Sequence, residues 1–131
     1  MLYRLIFRSS VDRSIPSRDA APSYATVADV LAATRAASIT TSETSKGVQF
    51  TFTPKGLQLK GQSSEYGVSS VACGLAECGV ECAVALDPRY VCEFLDTLDQ
   101  EATVAIEAVD ADSAVILRCE DSTGLVAPLS L

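Results

Sequence analysis

The sequence predicts an α+β fold in which one pattern, strand–helix–three strands, is used twice. Two segments carry apolar residues at helical spacing and open on capping residues. Each is followed by three short runs of strand character bounded by turn residues. The second series repeats the order of the first, although no residue-by-residue identity joins the halves. A duplicated βαβββ unit with two helices packed on antiparallel sheets is the expected architecture.

Residues 2–7 read as a short strand, and residues 8–23, polar and carrying Pro16 and Pro22, as an extended connection. Thr26 is placed to cap the first helix, and Asp29 falls in its first turn, where the helix dipole favours a carboxylate. Val27, Val30, Leu31 and Thr34 share one face, and the helix is expected to run to Ser38. Residues 46–53 alternate, with Val48, Phe50 and Phe52 pointing one way. Pro54-Lys55-Gly56 makes the turn into a returning strand, and residues 66–75 supply a third.

Residues 80–86 open the second half as a strand. Asp87 then Pro88 start the second helix, a capping side chain followed by proline at the first helical position. Val91, Phe94, Leu95 and Leu98 form its apolar stripe. Strands are expected at residues 102–108, 113–119 and 124–129, with Asp110-Ala111-Asp112 as a hairpin turn.

The bulk properties bound the function. The 131 residues fit one domain, and 48% apolar with 21% charged residues is ordinary for a globular fold. A net charge of −7 with no histidine opposes tight nucleic-acid binding by the chain alone. No apolar run approaches the ~18–20 residues of a membrane span, and the start is too short and polar for a signal peptide, so a cytoplasmic location is expected. The five cysteines, Cys73, Cys78, Cys82, Cys92 and Cys119, are expected to be reduced and mostly buried. Their spacing does not suit a zinc site, so neither a metal nor another cofactor is expected. Without histidine, a Gly-rich phosphate loop or a G-x-S-x-G turn, the chain gives no support for an enzyme.

Three stretches carry a resemblance. Arg35-Ala-Ala-Ser-Ile39, continuing through Glu43 to Lys46-Gly47-Val48, is similar to R-x-A-x-I-x-x-x-E-x-x-[KR]-G-V. Leu86-Asp87-Pro88-Arg89-Tyr90, running on to Leu95, resembles N-P-K-Y-L-x-x-x-L. Val126-Ala127-Pro128-Leu129-Ser130-Leu131 is similar to V-M-P-[ML]-R-L. In this order and spacing they resemble the C-terminal, third domain of the bacterial DNA polymerase III β subunit, the sliding clamp. The resemblance covers residues 11–131, with residues 1–10 as a remnant of the preceding strand and linker. Around Arg13, Ile15 and Pro16 the family's F-P-D-[YW]-R-R-V-[IL]-P is largely worn away.

The resemblance implies a sliding-clamp (processivity) fold, no catalysis, and three kinds of contact. The first is a groove for linear peptides of DNA polymerase and the clamp loader. Its wall would comprise Arg13, Ser14, Asp87, Tyr90, Asp112, Ala114, Leu125, Val126, Ala127, Pro128 and Leu129. The opposite wall belongs to the family's middle domain, so half a groove is expected here. The second is a head-to-tail contact closing a homodimeric ring, placed at Ile39, Glu65 and Tyr66. The third is duplex DNA, met only inside a closed ring and faced by Arg35 and Arg89. The function implied is that of a replication processivity factor. The alternative is a stand-alone adaptor that binds clamp-interacting peptides without encircling DNA.

Overall fold

The computed structural model describes residues 5–8, 22–39, 47–63 and 67–129. The elements are β1 (Leu5–Arg8), β2 (Ser23–Thr26), α1 (Val27–Ser38), β3 (Val48–Thr53), β4 (Gly56–Ser63), β5 (Gly67–Cys73), β6 (Cys82–Leu86), α2 (Pro88–Leu95), β7 (Thr103–Glu107), β8 (Val115–Cys119) and β9 (Ser122–Val126).

The two halves exchange strands. Each half contributes a three-strand meander, and its opening strand pairs with the meander of the other half. The orders are β1-β9-β8-β7-β2 and β5-β4-β3-β6, with antiparallel pairing throughout. Neither half closes its own sheet, so the duplicated units are tied into one body. α1 packs on β4 and β5, α2 lies against β1 and β9, and the helices pack on each other. Arg35 joins them, its Nη2 donating to both carboxylate oxygens of Asp96 at 2.7 and 2.9 Å.

The core is where the alternating patterns meet. Val48, Phe50 and Phe52 from β3, Leu57 and Leu59 from β4, and Val27, Val30 and Leu31 from α1 are all buried. The α2 stripe buries Val91, Phe94 and Leu95, each at most 1% exposed. Burying such a side chain is worth about 1.5–3 kcal/mol. Leu98, also assigned to that stripe, lies past the helix end and packs partly buried against the core.

Two tight turns need special backbone. Gly56 has φ +138°, and a Cβ there would stand 3.0 Å from the Cys73 carbonyl oxygen. Glu120 takes φ 52° in the two-residue link that pairs Cys119 with Ser122.

Three sequence expectations are corrected. The strand that opens the first half is β2, directly before α1, as β6 is directly before α2. β1 is an additional strand on the far side of β9. β2 is short, and it turns the small Ser23 and Ala25 inward, so no apolar run announces it. Thr26 occupies the N-cap position of α1 without a side-chain cap bond. The first amides of α1 donate instead to loop carbonyls, Val27 to Ala102 at 2.9 Å and Ala28 to Gln100 at 3.1 Å. The last strand ends at Val126 rather than 129. Pro128 has no N–H to continue a ladder, and the chain leaves the sheet there.

Candidate functional site

The segment leaving β9 crosses to the other sheet. Leu129 N–H donates to the carbonyl of Ala85 in β6 at 2.8 Å. Ala85 lies two residues before the Asp87 cap, so the tail is laid beside the entry to α2. Ala127, Pro128 and Leu129 are each half-buried. The register that pairs Val115 with Val126 brings Ala114, also half-buried, level with Ala127. Ends of both sheets and the start of α2 thus meet at one end of the molecule.

The entry to α2 is a closed polar unit. Asp87 is 2% exposed. Its Oδ1 accepts from Arg89 N–H at 3.0 Å, capping the helix. Arg89 then folds back onto the same carboxylate, with Nε on Oδ1 at 3.1 Å and Nη2 on Oδ2 at 2.7 Å. Its guanidinium carbon stands 5.8 Å from the centroid of the Tyr90 ring. These contacts, first the hydrogen bonds to Asp87, push the Arg89 pKa above its ordinary value. Tyr90 is half-buried and packs against the core.

The predicted site residues separate into groups. Ala114, Ala127, Pro128 and Leu129 gather at this end and Tyr90 lies in the first turn of α2, part of each residue being accessible. Leu125 is half-buried in β9 beside Ile116 and Ile6. Val126 is 0% exposed and Asp87 nearly so. Neither side chain is therefore open to a ligand. Asp112 is exposed, and its N–H donates to Asp110 Oδ1 at 2.9 Å, the local bond of the expected turn. Arg13 and Ser14 lie outside the described residues, as do Glu65 and Tyr66.

Ile39 stands at the C-cap of α1 and is 76% exposed. Val68, 56% exposed, was not expected; the two are the exposed large hydrophobic residues among those described. Ser69 Oγ donates to Ala37 O at 2.9 Å, fastening β5 to the last turn of α1. Alternation along residues 67–73 was the sequence signal for Val68, because Val71 and Cys73 take the inward positions.

The two arginines assigned to DNA, Arg35 on α1 and Arg89 on α2, each pair with a carboxylate at an end of α2. Arg35 is bound to Asp96 at the C-cap, and Arg89 to Asp87 at the N-cap. Among the described residues, no cluster of three or more His, Cys, Asp or Glu side chains is placed to hold a metal ion. All five cysteines are free thiols; Cys73 and Cys119 are buried and the other three are partly accessible, fewer buried than expected. No helix among the described residues is long and apolar enough to cross a membrane.

No protein-family description matches the sequence, and no curated protein matches it. Solved structures do match its fold. The chain superposes on the DNA polymerase III β subunit of Thermotoga maritima with a TM-score of 0.81 at 18% identity, covering 91% of this chain and 33% of that one. The DNA polymerase sliding clamp of Bacillus subtilis gives 0.80 at 19% identity, with the same coverage. That of Pseudomonas aeruginosa, solved with a ligand, gives 0.79 at 16% identity and covers 90% of this chain. The chain spans about a third of the length of these clamps and has the fold of a sliding-clamp domain.

Proposed function

We propose that this chain, with the fold of one sliding-clamp domain, acts in DNA replication as the peptide-binding domain of such a clamp. It does no chemistry itself. It offers an extended surface to linear peptides of the polymerase and clamp loader, and contributes one segment of a DNA-encircling ring. The observation that carries this reading is the Leu129–Ala85 hydrogen bond, which sets an apolar, half-buried tail beside Tyr90's helix. An apolar trough with a few fixed polar groups suits an extended peptide with alternate side chains inserted. The ring contact is assigned to Ile39, Glu65 and Tyr66; Ile39 and Val68 are both exposed. A solvent-exposed edge strand can add backbone hydrogen bonds to such a contact.

One observation favours the adaptor as the second reading. Exposed charges on the two helices and at the C-cap of α2 are Arg35 and Arg89 against Asp29, Glu93 and Asp96, two positive and three negative. A surface so balanced gives little attraction to phosphate.

The test is an NMR titration of the labelled protein with a pentapeptide of Gln, Leu and Phe, repeated on Leu129→Asp. Shifts are expected at Tyr90, Ala127, Pro128 and Leu129, and their loss in the variant, where a carboxylate is forced into an apolar trough. Shifts confined to Arg35 and the middle of the helices, or unchanged in Leu129→Asp, overturn the assignment.

A further inference from the structure

The resemblance places Arg89 among residues facing DNA; its contacts in the structure are with Asp87 and the Tyr90 ring, at the entry to α2. We infer that Arg89 makes this site selective for peptides that present a carboxylate, an Asp or Glu side chain, against the first turn of α2. The inference rests on the peptide-site reading and adds the partner's chemistry to it.

The guanidinium is prepared for the task before any ligand arrives. Its fork grips Asp87, a carboxylate whose side chain is 3% exposed and which is itself fixed by capping α2. The bond pair through Nε and Nη2 sets the plane of the group, and the Tyr90 ring lies beside it. An arginine ordered in this way loses little further freedom on binding. The arginine side chain nevertheless remains 62% exposed. Of its five N–H donors, the two bonds to Asp87 use two, and the rest stand ready for an acceptor.

Geometry decides the sign of the preference. Asp87 lies behind the guanidinium, so a ligand side chain meets the cation first. A carboxylate can take the outer donors in a charge-assisted pair. A lysine would meet the cation with no accessible carboxylate from Asp87. Glu93, one helical turn on and exposed, opposes the preference and keeps it modest.

The experiment measures fluorescence anisotropy of the full chain with pentapeptides of Gln, Leu and Phe, in which Glu, Gln or Lys replaces each position in turn. At one position Glu should bind about three- to tenfold tighter than Gln at low salt, with Lys weakest, as for an exposed ion pair. Arg89→Gln should remove the difference while the neutral peptide still binds. That variant leaves Asp87 buried without its cation, so Asp87→Asn/Arg89→Gln serves as a second, better balanced test. A Glu preference that survives either folded variant, or its absence in the parent protein, overturns the inference and leaves the peptide site standing. No binding by any peptide overturns the peptide site, and this inference with it. A short DNA duplex that binds and is lost in Arg89→Gln assigns the arginine to phosphate, against the inference.

Discussion

Leu129 is tied to Ala85 by a 2.8 Å backbone hydrogen bond that spans the two sheets. β9 belongs to the five-stranded sheet and β6 to the four-stranded one, so the tail is a strap between them. Replacing Leu129 with proline removes the donor and leaves the Ala85 carbonyl without it. A loss of about 1 kcal/mol in urea unfolding is expected from this bond. Peptide binding should fall as well, because the tail is no longer held beside α2. Unfolding and titration of Leu129→Pro beside Leu129→Ala separate the lost bond from the lost side chain. Equal stability of the two variants would show that the strap contributes nothing.

Gly124 and Phe94 form a second close contact. A Cβ on Gly124 would lie 2.9 to 3.1 Å from three atoms of the Phe94 ring, and Phe94 is fully buried. The ring has little room to withdraw in a packed core. Gly124→Ala is expected to destabilise by about 1–3 kcal/mol through overpacking. Phe94→Leu should cost stability alone yet recover part of the loss when combined with Gly124→Ala. The double-mutant cycle reads that coupling directly, and strictly additive losses would reject the contact as the cause.

Much of this fold was legible because it rests on local periodicity. The faces of both helices, the Asp87-Pro88 start and the β3–β4 hairpin follow from spacing and turn chemistry that a single segment carries. The exchange of β2 and β6 between sheets is not local, and no pattern within either strand reports its partner. β2 was missed because burial of Ser23 and Ala25 needs no large apolar side chain. Pro128 did signal that the ladder stops, but where the tail then goes depends on Ala85, some forty residues away in sequence. Arg89 shows the same limit at the site. Its position on α2 was clear, but its direction is set by a bidentate bond to the cap two residues earlier.

The thiols give an alkaline limit to stability. Burial, the largest cause in each case, raises the pKa of Cys73, Cys82, Cys92 and Cys119 above 9.0. Nearby carboxylates push Cys73 and Cys119 further in the same direction. In the unfolded chain these thiols lose protons near their ordinary pKa, whereas the folded chain retains them. The unfolded state then binds fewer protons, so stability falls as pH rises through and beyond that value. Urea unfolding should show no thiol contribution at neutral pH and a growing loss above 9.0. Cys73→Ala and Cys119→Ala should flatten the alkaline slope, while lowering neutral stability through lost packing. An unchanged slope in both variants would refute the linkage.

The Arg35–Asp96 bridge bears on whether the helices attract DNA. Both side chains are more than half exposed, at 58% and 51%. Such a pair contributes at most about 1 kcal/mol to stability. It matters more for charge, because Arg35 reaches any incoming phosphate already accompanied by a carboxylate. With Arg89 held by Asp87, and Asp29 and Glu93 exposed nearby in sequence, the described helices carry no excess of positive charge. The protein, at net charge −7, is therefore expected to show no measurable duplex binding by anisotropy at ~150 mM salt. Asp96→Asn should leave the fold intact and free the Arg35 cation. Any affinity gained would rise steeply as salt is lowered, because each phosphate contact releases about 0.9 counterions. Submicromolar binding by the unmodified chain at ~150 mM salt would mean that charge elsewhere outweighs this balance. Weak binding that appears only in Asp96→Asn and vanishes with added salt is the outcome the paired arginines predict.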